Sequence, residues 1–450
     1  MKPQKCFNLA HMLTRLPMRL PTSSSKTIYF LLFCAVLFTT IFPLLRINSF
    51  CIILLVAYRL WDAPATARSV FKDTLLVAYL VFVLIETAGF LHTANMKAQS
   101  DAVAKDATLV ALAYVLCSGT LVSARAYRRL MSAYCLMIFL SSLYCLVLAY
   151  RYYLVDKDPA DFFYHTLTRP IAQNAVFYSV YVVFAMLFLL SPSGEPIVSW
   201  LSPMWKKALR FSVVFFFMGM IVLLSSKLLL VIAVLFLVNA FLRRYSYRKN
   251  KRAVLVTGSA LVLALGILAL TKNPVSVRYR ELAAGDLDAI KQKTFDPGMY
   301  FNALQLRLLE WRFGTEILNE QHAWLFGVSP GSSQDLLDAK YVRTRMYIGN
   351  PAEGPHRHIR GFIGYNFHNQ YLETLVRCGF LGLAALLAIF ILLFVRARKQ
   401  GTREAWYVVL TLAVFFIPEA PLTMQQGVFL FCFFPLLAVT APGKVELSAE

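Results

Sequence analysis

Long apolar runs separated by short charged breaks recur along most of the chain. The runs lack the strict alternation of barrel strands, and their length matches the roughly 20 residues that a helix needs to cross a bilayer core. Only helices pair every backbone amide within one segment, so the pattern predicts an all-α, polytopic transmembrane bundle. Spans are expected at about 28–45, 47–62, 73–91, 107–124, 129–150, 172–191, 208–224, 227–243, 253–271, 371–395, 404–420 and 426–442, about twelve in all.

Between the ninth and tenth spans the pattern changes. Residues 272–370 are polar and mixed in charge, and form the one sizeable extramembrane region. Apolar spacings of three and four in NPVSVRYRELAAGDLDAIKQ and QLRLLEWRFGTEILNE predict short amphipathic helices within it. LFGVSPGSSQDLL reads as a turn followed by a helix start. The expected organisation is a basic N-terminal segment, 1–26; nine membrane helices, 27–271; a long loop, 272–370; three membrane helices, 371–442; and a short tail, 443–450.

Composition agrees: 58% of residues are hydrophobic and only 15% charged, against about 25% charged in soluble domains. The net charge of +21 would suit a nucleic-acid binder if it formed one patch. Instead it collects at the span edges, in Lys2, Lys5, Arg15, Arg19 and Lys26, and in Arg243, Arg244, Arg248, Lys249, Lys251 and Arg252. Such clusters mark cytoplasmic loops, so alternation puts both termini inside and 272–370 outside, with no nucleic-acid partner. The eight cysteines lie in or beside apolar runs and imply neither a disulfide framework nor a metal site.

Several residues carry candidate chemistry. His368 and Asn369, in YNFHNQYLETLVRCGFLGL, fall at the mouth of the tenth span. The imidazole there can take a proton from a hydroxyl near neutral pH, or simply anchor the helix. Lys227 follows Ser225 and Ser226 at the outer turn of a helical hairpin. It is either a snorkelling amine or, with the two hydroxyls, a contact for an anionic headgroup. Arg307 can grip phosphate through paired hydrogen bonds, with Trp311 four residues on. Arg312 is spaced to pair with Glu316. Glu86 is an acid at membrane depth, a functional candidate by default or an acid solvated near the span's outer end or paired with a neighbouring helix. GPHRHIRG, with His356 and His358, reads more readily as a basic, solvated or headgroup-facing loop than as a metal site, since its H-x-H has no nearby carboxylate pair or cysteine.

In order, these motifs resemble the O-antigen ligase and polymerase family of membrane glycosyltransferases, over roughly residues 205–400. Four parts carry the resemblance: Ser225-Ser226-Lys227, Arg307 with Trp311, the LFGVSPG turn, and FHNQYLETLVRCGFLGL, whose G-x-x-G suits close helix packing. The resemblance implies a GT-C-like bundle in the bacterial inner membrane with its active face periplasmic. It further implies a metal-independent, cofactor-free, inverting transfer of a glycan from undecaprenyl diphosphate to an acceptor hydroxyl. The acceptor would be lipid A core, a growing polysaccharide or another glycan, and membrane lipids surround the site. His368 would orient or deprotonate the acceptor. Arg307, with Ser225, Ser226 and Lys227, would hold the diphosphate, and Asn369 would contact substrate. The family usually carries arginine where this chain has Lys227, so either the diphosphate is held differently or Arg278, Arg280 or Arg169 compensates. A lipid-linked glycan flippase, or a non-catalytic membrane partner in polysaccharide assembly, is the competing reading.

Overall fold

In the computed structural model the described residues are 22–63, 70–118, 123–191, 194, 202–244, 287–349 and 361–440. They are helical throughout, without strands among the described residues. In chain order the helices are α1 (Thr22–Ile41), α2 (Leu45–Asp62), α3 (Thr74–Ala88), α4 (Met96–Cys117), α5 (Ala124–Asp156), α6 (Ala175–Leu190), α7 (Pro203–Leu224) and α8 (Lys227–Arg244). They continue with α9 (Ala303–Glu320), α10 (Pro330–Arg343), α11 (Gln370–Gln400), α12 (Arg403–Phe415) and α13 (Gln425–Thr440).

Every expected span has a helix except 253–271, which lies outside the described residues. By length and composition four helices can cross a membrane: Thr74–Leu91, Ala124–Asp156, Pro203–Leu224 and Gln370–Gln400. Counting Tyr164–Ile171 with Ala175–Leu190, which meet at an 80° bend, brings the number to 5. The expected count of about twelve is larger because α1, α8 and α13 have short apolar stretches, α12 has only 13 residues, α2 carries Arg46, Arg59 and Asp62, α4 begins on a polar stretch bearing Lys97, Asp101, Lys105 and Asp106, and 253–271 lies outside the described residues.

The two ends of the bundle are tied by different polar contacts. At one end Arg396 meets Asp73 at 2.6 Å, and Arg59 donates to Ser118 Oγ at 2.6 Å. At the other, Gln173 Nε2 donates to the α1 carbonyls of Thr40 (2.7 Å) and Ile41 (2.9 Å). There too the backbone N–H of Gln370 donates to the carbonyls of Phe416 (2.9 Å) and Glu419 (3.0 Å). Residues 287–349 and 361–368 sit over this second end. Their own core, with Leu309, Phe313, Leu337, Tyr341 and Met346, includes Phe367 and Val376 and so grips the start of α11. Each such side chain is worth roughly 1.5–3 kcal/mol when fully buried, enough to hold α9 and α10 as a cap on the bundle.

One joint is unexpected. α11 breaks at Gly379 (φ 64°, ψ −164°), and the LFGVSPG segment crosses the break as a strap. Phe380 N donates to Trp324 O (2.8 Å) and Leu381 N to Leu325 O (3.4 Å). Val328 N donates to Val376 O (2.8 Å) and Ser329 N to Arg377 O (3.0 Å). The strap therefore supplies partners for amides and carbonyls that the break frees, which an apolar surrounding requires. This corrects the expected role of the G-x-x-G: Gly379 admits the strap, not a neighbouring helix. A Cβ there would lie 2.2 Å from Leu325 O, and one on Gly327 2.4 Å from Arg377 O.

Candidate active site

α9 starts with a capping box, Asn302 accepting from Leu304 and Gln305 while the Gln305 side chain accepts from Asn302 N–H. The helix then turns Leu309, Phe313 and Ile317 inward, and Glu310 goes with them to complete burial. An unpaired carboxylate in an apolar core would cost several kcal/mol, so its partners matter. Glu310 Oε2 lies 2.8 Å from His368 Nδ1, and Glu310 Oε1 accepts from the hydroxyl of Tyr341, itself fully buried on α10, at 3.2 Å.

His368 occupies the turn before α11 with a positive φ of 44°, held by a bond from its N–H to Asn366 Oδ1 (2.9 Å). Its Nδ1 faces two acceptors, Glu310 Oε2 and Asn366 O at 3.1 Å, so in the neutral ring Nδ1 carries the proton and Nε2 keeps the lone pair. Nε2 meets no protein partner among the described residues, and the ring is 25% exposed while Glu310 is 0% exposed. The result is an oriented base whose working atom faces outward.

Burial of the imidazole works against its charged form, but the charge and hydrogen bond of Glu310, aided by Glu419 and opposed by Arg307, outweigh it and raise the pKa above the usual histidine value. Burial also raises the Glu310 carboxyl, against the pull of His368, Arg307 and the Tyr341 hydroxyl. Because the folded-state value of His368 is raised, its stabilising contribution is full below the unfolded value of about 6.5 and is lost as pH rises through the folded value. The melting temperature of wild type should thus exceed that of His368→Ala by a margin that shrinks as pH is raised from 6 towards 9, readable in detergent by thermal melting.

Arg307 borders the same site one turn before Glu310. Its Nη2 meets Glu419 Oε1 at 2.7 Å, its Nε donates to Pro418 O at 2.9 Å and its Nη1 to Ala303 O at 3.0 Å. Three of five guanidinium hydrogens are thus used within the protein, tying α9 to the 416–424 turn, and two remain for a ligand. Trp311, on the next turn, has an indole N–H sheltered from water without an acceptor among the described residues. Arg307→Lys should keep the charge but lose the fork, lowering the melting temperature by the equivalent of about 1–2 kcal/mol while cutting any anion-dependent activity more than tenfold. Melting and rate measured on one preparation would separate the two effects.

The structure brings Arg307, His368 and Asn369 together, and Arg312 pairs with Glu316 at 2.8 Å as the spacing suggests. Asn369 caps α11 through its side-chain oxygen, accepting from Leu372 N at 3.0 Å, so only its amide group is left to meet a ligand. Ser225 is a left-handed helix cap (φ 53°) whose hydroxyl donates to Val222 O and Leu223 O, and Lys227 opens α8. No described contact joins Ser225, Ser226 or Lys227 to Arg307 or His368. Arg169 is exposed in the 169–171 turn. Arg278, Arg280, His356 and His358 lie outside the described residues. Glu86 is buried 3.9 Å from Arg377, below the site. Glu310 and Tyr341 were not singled out by sequence reasoning. The available signal was an acid on the apolar stripe formed by Leu306, Leu309, Phe313 and Ile317.

The class these features define is a helical membrane protein that carries a carboxylate-oriented histidine and an arginine at one end of its bundle. Residues 212–387 match the family model described as O-Antigen ligase. That match is to a glycosyl-transferring ligase family, and it covers the serine turn, Arg307, the strap and His368. No curated protein matches the chain.

Proposed function

We propose that the protein is a GT-C-like inner-membrane glycosyltransferase that moves a glycan from undecaprenyl diphosphate to an acceptor hydroxyl on the periplasmic face. The Glu310–His368 pair is the observation that carries this reading. His368 Nε2 takes the proton of the acceptor hydroxyl as its oxygen attacks the anomeric carbon. The bond from that carbon to the diphosphate oxygen breaks on the opposite face, the electron pair leaves with the diphosphate, and the configuration inverts. Glu310 holds the imidazole in its productive tautomer and steadies the imidazolium that forms, as an oriented base requires. The two remaining N–H groups of Arg307 meet the charge that grows on the leaving group. Lys227, Ser225, Ser226, Arg169, Arg278 and Arg280 are the further candidates for that task, and the amide of Asn369 for an acceptor contact.

A strain lacking the gene distinguishes the forms of this reaction. Long lipid-linked glycan would build up if the protein ligates finished polymer to lipid A core, and single lipid-linked repeats if it polymerises them. Unchanged surface glycan and unchanged lipid-linked pools would contradict both.

One observation favours lipid-glycan flipping as a second reading. Glu86, Lys105, Asp106, Glu373 and Arg377 form a charged group inside the bundle, with Glu86 Oε2, both Asp106 carboxylate oxygens and Arg377 Nε sheltered without hydrogen-bond partners among the described residues. Charged groups at membrane depth suit alternating access. Liposomes in which His368→Ala still moves a labelled lipid-linked glycan between leaflets would support flipping; no movement with wild type would reject it.

A further inference from the structure

The geometry points to a re-entrant segment: the strap at 324–328, drawn from the long polar loop, dips into the leaflet at the site end, where Leu325 and Phe326 sit among lipid acyl chains. This does not depend on the transfer reaction.

Depth follows from α11 itself. Its opposite end is fixed where Arg396 meets Asp73. A hydrocarbon core of about 30 Å takes about 20 helical residues, so counting back from Val395 the core reaches to about Val376. Gly379 is thus roughly 5 Å inside the hydrocarbon boundary, and helix tilt would place it somewhat differently but not outside the membrane edge region. The strap's carbonyls at 324 and 325 are bonded to the amides of Phe380 and Leu381, so it shares that depth.

Surface chemistry agrees. Leu325 is 51% and Phe326 63% exposed, beside Phe380 at 50% and Leu381 at 43%. Phe380 begins a stripe of exposed apolar side chains that runs down α11 through Leu387, Ile391 and Val395 at helical spacing. The strap's apolar surface is therefore continuous with the lipid-facing side of a membrane helix, and in water it would form an exposed apolar patch without a covering partner among the described residues. Trp324 sits as interfacial tryptophans do. Its ring stacks on Phe380 (5.6 Å, 23°), while its N–H reaches back to Asn319 Oδ1 at 2.9 Å in the polar loop. The cross-bonds at Val328 and Ser329 and the bond from Gly327 N to Ala323 O (2.7 Å) give several of the strap's backbone groups partners within the protein, as irregular backbone at membrane depth needs.

The test replaces Phe326 with the photoreactive analogue benzoylphenylalanine, in full-length protein reconstituted in liposomes. The same replacement at Ile391 serves as the lipid-facing control and at Tyr300, 74% exposed in the loop, as the aqueous one. After irradiation, mass spectrometry should find lipid adducts at 326 at a yield matching 391, with none at 300. Absence of lipid adducts at 326 while 391 yields them would overturn the inference. So would crosslinks from 326 to another segment of the chain or to a second copy.

Discussion

Glu310→Gln should lower the rate of glycan transfer by at least about a hundredfold and shift the acid limb of the pH–rate profile to lower pH. Glutamine preserves the volume and can still accept from the Nδ1–H, so the core around Leu309 and Phe313 remains filled. What goes is the negative charge that raises the His368 pKa; burial of the ring, opposed by nothing of comparable size, then lowers it. The base is therefore unprotonated at lower pH but weaker, and the imidazolium it forms is no longer steadied. His368→Ala should lose more, about a thousandfold or beyond, with no histidine limb left in the profile. A merely structural role for Glu310 would lower the amount of folded protein without moving the limb.

Gly379→Ala and Gly327→Ala should each prevent accumulation of folded protein. Both glycines have a positive φ, 64° and 74°, which costs an alanine at least about 1–2 kcal/mol, and Gly379, with ψ −164°, sits in a region essentially restricted to glycine. Each added Cβ would also strike backbone at 2.2–2.4 Å, Leu325 O for Gly379 and Arg377 C and O for Gly327. Backbone cannot give way without losing the strap's hydrogen bonds, so the total should exceed about 3 kcal/mol per substitution. Gly401 is the control. Its φ is 70°, but nothing lies within 4 Å of a Cβ there, so Gly401→Ala should cost only about 1–2 kcal/mol. Membrane abundance and monodispersity after detergent extraction measure all three. Wild-type behaviour of Gly379→Ala would mean that the helix break is not needed for folding.

The helices were legible because apolar runs of membrane length leave few other options, and most observed ends fall within a few residues of the expected ones. α4 departs furthest. It starts at Met96 instead of near 107, because its first turns carry Lys97, Asp101, Lys105 and Asp106, which hydropathy reads as loop. Gln99, on those turns, is buried by accepting from Gly331 N and donating to Glu86 O, bonds that link the 89–99 turn to α10. The strap was invisible for a related reason: backbone pairing between 324–329 and 376–381 joins distant segments, and only the glycines hinted at it. His368 and Arg307 could be picked out as residue types able to move a proton and grip an anion. Glu310 could not, since its role depends on which side of α9 faces the core, and Tyr341 is one of many aromatic residues. The serine–lysine turn shows the opposite case, a motif clear in the sequence whose Ser225 hydroxyl caps its own helix at Val222 O and Leu223 O.

The most direct measurement is the rate of transfer from an undecaprenyl-diphosphate-linked glycan to its acceptor, followed against pH in liposomes for wild type, Glu310→Gln and His368→Ala. Rates that fall in that order, with an acid limb that moves down in Glu310→Gln and vanishes in His368→Ala, are the predicted result. Wild-type rates and an unchanged profile in both variants, at normal protein abundance, would show that the histidine is not the base.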